Sequence, residues 1–311
     1  MAKIPSYDSR LLMPLAMLVL YLACIYAAQP AFFALQNLSA VLYYTCLLVP
    51  VELGIHLLIV LGLFDLSVGA VAAACGVVAA LLITQGLPLA VALSVGVVVG
   101  MVFGLINWVL TTRLRLPALI STLITMGGAR AVAVGITQGQ TVAGLPSPFG
   151  RLTEGTWLGL RYPVILGLVL VCLFEVLSRK HVVFRRFYHA GSNRRAALNC
   201  GINVSALECL AFVLCGAGAA VVGLLQASRT MSASPHAFPD LALDCIAACV
   251  IGGDRLTGGA GRVSGAFFGL LMVVVSRNLV FLAGISAYWQ DLAIALILLG
   301  AAVLNRPAAE S

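Results

Sequence analysis

The chain has 311 residues, of which 62% are hydrophobic and only 9% charged, with a formal net charge of +7. Soluble domains carry about 25% charged residues. This chain therefore has too few charges to clothe a water-facing surface, which excludes a soluble enzyme, a disordered protein and a nucleic-acid binder. Spanning helices need about 20 apolar residues each, so the apolar content is enough for about nine or ten, and the class is an all-α integral membrane protein.

Residues 1–10 are polar, and the apolar run from Leu11 to Ala28 reads as a retained first helix rather than a cleaved signal peptide, since membrane sequence follows it. Leu38 to Phe64 is a second helix that holds Pro50, Glu52 and His56. A polar turn, Asp65-Leu66-Ser67-Val68-Gly69, leads into a third helix over Ala70 to Thr84. The fourth, Leu89 to Leu110, carries Gly96, Gly100 and Gly104 four residues apart, a register that lets another backbone approach closely.

A basic loop with Arg113 and Arg115 precedes a fifth helix, Ala118 to Thr137, with Arg130 inside it. The stretch 138–161 is long, polar and rich in Gly and Pro, and has room for a short surface or re-entrant helix. Tyr162 to Ser178 is the sixth helix. Six basic residues follow within 17 positions: Arg179, Lys180, Arg185, Arg186, Arg194 and Arg195. Asn193 can cap a short helix over Arg194 to Asn199, and Gly201 can end it. That pattern predicts a helical knob on a basic stalk.

Ser205 to Ala227 is the seventh helix, and 228–240 is a loop with Pro235 and Pro239. The run Leu241 to Gly252 is too short to cross alone, so its helix is expected to begin further back in that loop. A glycine-rich segment follows, then helices over Val263 to Leu282, with Gly265 and Gly269 as packing positions, and over Ser286 to Leu304. Ten helices put both termini on one side. With that side cytoplasmic, Arg113, Arg115, the 179–195 cluster, Arg255, Arg262 and Arg306 are all inside, as positive-inside topology requires.

Motifs for soluble chemistry are missing: there is no phosphate-binding G-x-x-x-x-G-K-[ST] loop and no H-E-x-x-H. The nine cysteines show no paired spacing and read as small apolar residues. The four histidines lie far apart in sequence, which leaves no metal motif. Charges at membrane depth are expensive and mark functional sites by default. Here they are Glu52, His56, Arg130, Asp244, Arg277 and Asp291, with Glu175 and Glu208 near helix ends. Glu52 and His56 are four apart on one helix face and can pair along a solute path. With Glu52 the one clear midplane carboxylate, a proton-coupled transporter is disfavoured.

Several blocks then stand in a telling order: Asp65 to Gly69; Pro117 to Val142, with Arg130 and Gly139-Gln140-Thr141; Tyr188 to Val204, with Gly191, Asn193, Ala196, Ala197, Gly201 and Ile202. Ala227-Ser228-Arg229, Asp244 to Gly253, Gly258, Gly259, Gly261, Asn278 and Tyr288-Trp289-Gln290 complete them. From about residue 38 to 305 the chain resembles the permease subunits of ribose-type sugar ABC importers.

The resemblance implies a type II ABC importer-like permease of about ten helices in the bacterial inner membrane. It implies a single transmembrane domain over 1–311, with 179–204 as a cytoplasmic coupling segment and 138–161 and 228–240 as periplasmic loops. The partners implied are a cytoplasmic ABC ATPase, a periplasmic solute-binding protein and a second permease, identical or not. ATP would be bound by the ATPase, leaving this chain no cofactor of its own and no metal. Coupling would fall to Tyr188, Gly191, Asn193, Arg194, Arg195, Ala196, Ala197 and Gly201. The solute path would include Glu52, His56, Asp65, Ser67, Arg130 and Asn278. The chain departs from the family pattern at Ile55, His56, Leu63, Phe64, Ala242 and Leu279, a drift that suits pairing with a non-identical permease. The alternatives are a branched-chain amino-acid or nucleoside importer permease, and a stand-alone secondary transporter.

Overall fold

The computed structural model describes residues 30–286 together with Trp289 and Leu292. The helices expected over Leu11 to Ala28 and Ser286 to Leu304, along with Asp291 and the Tyr288 to Gln290 block, lie wholly or largely outside the described residues. After a 3-10 turn over Pro30–Phe33, α1 runs over Leu35–Val60, α2 over Val68–Thr84 and α3 over Leu89–Trp108, prolonged by a π-helical turn at Val109–Arg113. Then come α4 (Ala118–Thr137), α5 (Ser147–Glu154) and a tight hairpin of β1 (Thr156–Trp157) and β2 (Leu160–Arg161). α6 (Tyr162–Lys180), α7 (Val182–Ser192), α8 (Arg194–Asn199), α9 (Val204–Thr230), α10 (Leu241–Ile251) and α11 (Val263–Leu282) complete the order.

Six of these helices, α1, α3, α4, α6, α9 and α11, are long and apolar enough to cross a membrane, whereas α2 and α10 are shorter. α1 is apolar all round, as a helix enclosed on every side must be, and from Thr45 to Val60 every residue is buried. Inside α1, Pro50 deprives the Cys46 carbonyl of its helical donor. Gly167 of α6 lies against that same Cys46, where a side chain would collide with it.

α9 packs against α1, α2 and α3 and serves as the ruler of the bundle. Counting up from its first turn, Glu208 meets Thr112, Phe212 meets Gly104, Gly216 meets Gly100, Gly218 meets Pro50 and Gly223 meets Ala72. Near its other end Ser228 donates to the Phe149 carbonyl of α5. Gly96 completes the α3 seam beside Leu224, and Gly265 and Gly269 seat α11 on Gly252 and Ala248 at α10. By contrast, α3, α4 and α6 present apolar side chains outward, among them Val98, Leu105, Leu123 and Leu173. Such faces require lipid or another subunit.

Two features differ from the sequence expectation. α1 stops at Val60, because Leu61 to Ser67 leave the helix and climb back into the bundle before α2 starts. The short helix α10 does not reach back into the preceding loop. It begins at Leu241, behind Asp240, and the loop itself travels inward, so that the Phe238 carbonyl rests against Gly69.

Candidate functional site

Two interrupted helices meet inside the protein. On one side is the break before α2, fixed by Asp65. The Ser67 backbone N–H and hydroxyl both donate to Asp65 Oδ1, at 2.8 and 2.6 Å. Asn107 of α3 donates through Nδ2 to Asp65 Oδ2 at 3.1 Å and to Ser67 Oγ at 2.9 Å. All three residues are buried. Non-helical backbone at membrane depth must be satisfied by protein, and Asp65 meets that requirement.

On the other side is the inward loop between α9 and α10. Arg130 of α4 reaches it and donates to the carbonyls of Pro235 and Ala237. A backbone bridge between Val142 and Ala233 ties it to the 138–146 segment. Beneath it lies a cavity of about 160 Å³, lined in part by Ala72, Gly76, Gly223, Gln226, Thr230 and Ser234. Gln226 Oε1 is buried there without a hydrogen-bond partner among the described residues. Discontinuous helices whose ends converge in the membrane are a common way to build a polar solute site. The lining is mostly small apolar residues, with the Gln226 amide and the Thr230, Ser232 and Ser234 hydroxyls as its polar groups.

The remaining pathway candidates lie elsewhere. Asn278 of α11 exchanges amide hydrogen bonds with Asn37 of α1, each at 2.9 Å. Its neighbour Arg277 holds Asp244 of α10 through two hydrogen bonds, at 3.0 and 2.7 Å. Glu52 and His56 do not pair with each other. Each crosses to the α10 side: Glu52 Oε1 accepts from the Cys249 thiol at 3.2 Å, and His56 Nδ1 lies 2.6 Å from Asp254 Oδ2. Both are sealed inside the chain. Asn107, Gln226, Cys249 and Asp254 were not singled out from sequence. Asn107 and Gln226 are polar residues inside apolar runs and carried a signal, but a cysteine in such a run does not, and neither does an aspartate in a glycine-rich loop.

At the opposite end from the α5 loops, α7 and α8 form the basic segment. The stalk of the expected knob is not free: α7 docks on the bundle, while α8 is exposed at every residue but Ala197. α7 is amphipathic, with Phe187 and Ala190 buried and Arg185 and Arg186 exposed. Gly191 is pressed onto the Val60 carbonyl, which also accepts the Gly259 N–H at 2.8 Å. The Tyr188 hydroxyl sits 3.3 Å from His56 Nε2, so this surface helix touches a buried side chain of α1. In α8 the Asn193 side chain caps the helix by accepting the Ala196 N–H at 3.0 Å, and Gly201 follows with a positive φ of 74°. Ala197 is buried, Ala196 and Arg195 face outward, and Arg194 pairs with Glu208 of α9, which also accepts from Thr112 of α3.

The model of a family described as "Branched-chain amino acid transport system / permease component" matches residues 37–302. The chain belongs to that family. The ribose import permease protein of Bacillus subtilis is 34% identical over 280 residues, covering 89% of this chain and 87% of the relative. That of Escherichia coli K12 is 33% identical over 296 residues, covering 94% and 92%. The autoinducer 2 import system permease protein of an Enterobacter species is 32% identical over 291 residues, covering 94% and 84%. No solved structure matches the chain.

In this permease the Asn193 cap holds the exposed basic helix in shape. Replacing an N-cap Asn by Ala costs about 0.5–2 kcal/mol, and α8 has only six residues to resist fraying. Asn193→Ala is expected to speed amide hydrogen exchange across residues 194–199 while leaving α9 protected. Unchanged exchange in α8 would mean that the Arg194–Glu208 pair, not the cap, maintains it.

Proposed function

We propose that this permease carries a sugar or sugar-like polar solute across the bacterial inner membrane as one half of an ATP-driven importer. The observation that carries this reading is the match, at 32–34% identity over most of the chain, to import permeases named for ribose and autoinducer 2. In this reading the protein has about ten spans with both termini cytoplasmic, as the basic residues gathered around α7 and α8 favour. A cytoplasmic ABC ATPase docks on the 179–204 segment and touches Tyr188, Arg194, Arg195 and Ala196. It holds the ATP, so the permease needs no nucleotide site of its own. A periplasmic binding protein delivers solute to the 138–161 and 228–240 loops. A second permease, identical or related, covers the apolar faces left open on α3, α4 and α6.

The solute path in this proposal runs past the inward loop, where Arg130 and Gln226 stand, and past Asn278, which is partly exposed. Glu52, His56, Asp65 and Ser67 would reach it only when the helices rearrange, as expected of a transporter that alternates between inward- and outward-open states.

The test is uptake by cells that express the chain with the ATPase and binding protein encoded beside it and lack other import routes for the labelled compounds. Pentoses and related sugars are expected to be accumulated and to compete with one another. Uptake of leucine or a nucleoside in their place would favour the other permease readings. Transport without any ATPase would sink the proposal in favour of a secondary transporter. Deleting 190–201 is expected to leave the chain in the membrane and abolish ATPase association.

A further inference from the structure

Four chemically potent side chains converge between α1, α10 and the loop that follows α10. One donor atom each from His56, Cys249 and Asp254 lies within 4.8 Å of the other two, and all three residues are buried. Glu52 joins them through its 3.2 Å contact with the Cys249 sulfur. Glu52 and His56 are one turn apart on α1, so a single helix face supplies two of the groups.

The hydrogen bonds among these four do not account for their charge. Glu52 is 1% exposed, and its polar contacts among the described residues are the thiols of Cys249 and Cys245, both weak donors. Its second oxygen, Oε2, is buried with no hydrogen-bond partner among the described residues. No Arg or Lys forms a salt bridge to Glu52 or Asp254 among the described residues. Asp254 is held by His56 at Oδ2 and by the Arg262 backbone N–H at Oδ1, at 3.2 Å, which leaves Glu52 as the buried carboxyl with only thiols beside it. Buried acids in such surroundings are paired or coordinate metals.

We propose that His56, Cys249 and Asp254, with Glu52 as the fourth group, form a binding site for a divalent transition-metal ion of borderline softness, best matched by Zn²⁺. Thiolate, imidazole and carboxylate are the Zn²⁺ donor set, at about 2.0–2.3 Å from the ion. Donors at those lengths stand about 3.5 Å apart around a tetrahedral ion, so the 2.6 Å His56–Asp254 pair must open by about 1 Å while Cys249 draws in. Binding displaces the thiol proton of Cys249 and the proton between His56 Nδ1 and Asp254 Oδ2, both to solvent, and the ion's two positive charges then offset the thiolate and the Asp254 carboxylate. An approach is also at hand. A cavity of about 610 Å³ opens at the basic end, lined in part by Tyr188 and Gly261. These two residues stand directly against His56, through the Tyr188 hydroxyl and at the imidazole Cε1. Metal would enter from the side where α7 lies. Because Tyr188 belongs to α7, occupancy would fix that helix relative to α1.

The site is tested on the full chain purified in detergent, stripped with a chelator and titrated with Zn²⁺. Co²⁺ serves as a spectroscopic substitute that reports a thiolate ligand. One ion per chain with a thiolate-to-cobalt charge-transfer band is expected. Cys249→Ser should remove the band, and Cys249→Ser and His56→Gln should each weaken Zn²⁺ at least ~10-fold. Cys172→Ser, at an exposed position on α6, should leave both intact. Absence of stoichiometric Zn²⁺ in the wild-type chain would overturn the proposal. So would a band that survives Cys249→Ser or disappears with Cys172→Ser. None of these readouts depends on the solute transported.

Discussion

Gly100→Ala is expected to destabilise the permease severely, although it adds a single methyl group. A Cβ at position 100 would land on the Gly216 carbonyl and within 2.7 Å of the Ala220 methyl. The contact is reciprocal, since a Cβ on Gly216 would meet the Gly100 carbonyl. Backbone cannot rotate away as a flexible side chain can, so relief requires α3 and α9 to separate. That would loosen the seam from Gly96 to Gly104. Overpacking in a tight core costs about 1–3 kcal/mol, and a clash with backbone belongs at or above the upper end. The matched control is Gly127→Ala on α4, where a Cβ would meet nothing within 4 Å. Thermal melting in detergent, followed by the fraction remaining monodisperse, should show a large drop for Gly100→Ala and none for Gly127→Ala. Equal melting of the two variants would mean that α3 and α9 are not tightly locked.

The glycine seam was legible in advance because it depends on one periodicity within one helix. The six long apolar helices among the described residues were legible for the same reason: a continuous apolar run identifies a span whatever it packs against. Turn chemistry carried α8, where Asn193 and Gly201 bracket a helix by local hydrogen bonding alone. What the sequence hid was depth and pairing. Leu61 to Phe64 read as the end of a helix, because the apolar run continues through them, and 231–240 read as an ordinary loop, since nothing in a loop's composition says how far it enters the membrane. The basic stalk was expected to project because its charges are exposed, yet the other face of α7, with Phe187, Ala190 and Gly191, is docked on the bundle. Glu52 and His56 were correctly placed on one face of α1, but their partners Cys249 and Asp254 lie 197 and 198 positions away. No local pattern joins residues so distant.

Asp65→Ala should be the most damaging single change to a polar residue, because it strands several groups at once. Asp65 accepts the Ser67 N–H, the Ser67 hydroxyl and the Asn107 amide, all in a buried setting. Asn107 keeps its hydrogen bond to Ser67 Oγ, so the groups stranded outright are the Ser67 N–H and hydroxyl, with the Asn107 amide left one acceptor short. Each buried donor left unsatisfied costs about 1–3 kcal/mol, and more where the lost acceptor carried charge. Two or three such losses approach the whole stability of an ordinary domain, about 5–15 kcal/mol. The Ser67 N–H also stands at the entrance to α2, where Asp65 does the work of a cap from two residues upstream. Asp65→Asn separates geometry from charge: it keeps an acceptor oxygen for Ser67 but replaces the other oxygen, the one Asn107 donates to, with a donor. The expected order of melting temperature is wild type above Asp65→Asn above Asp65→Ala. Asn107→Ala should partly rescue Asp65→Ala, because removing both partners of a buried hydrogen bond is milder than removing one. Full additivity of Asp65→Ala and Asn107→Ala would show that the two do not act together, and the break before α2 would then need another support.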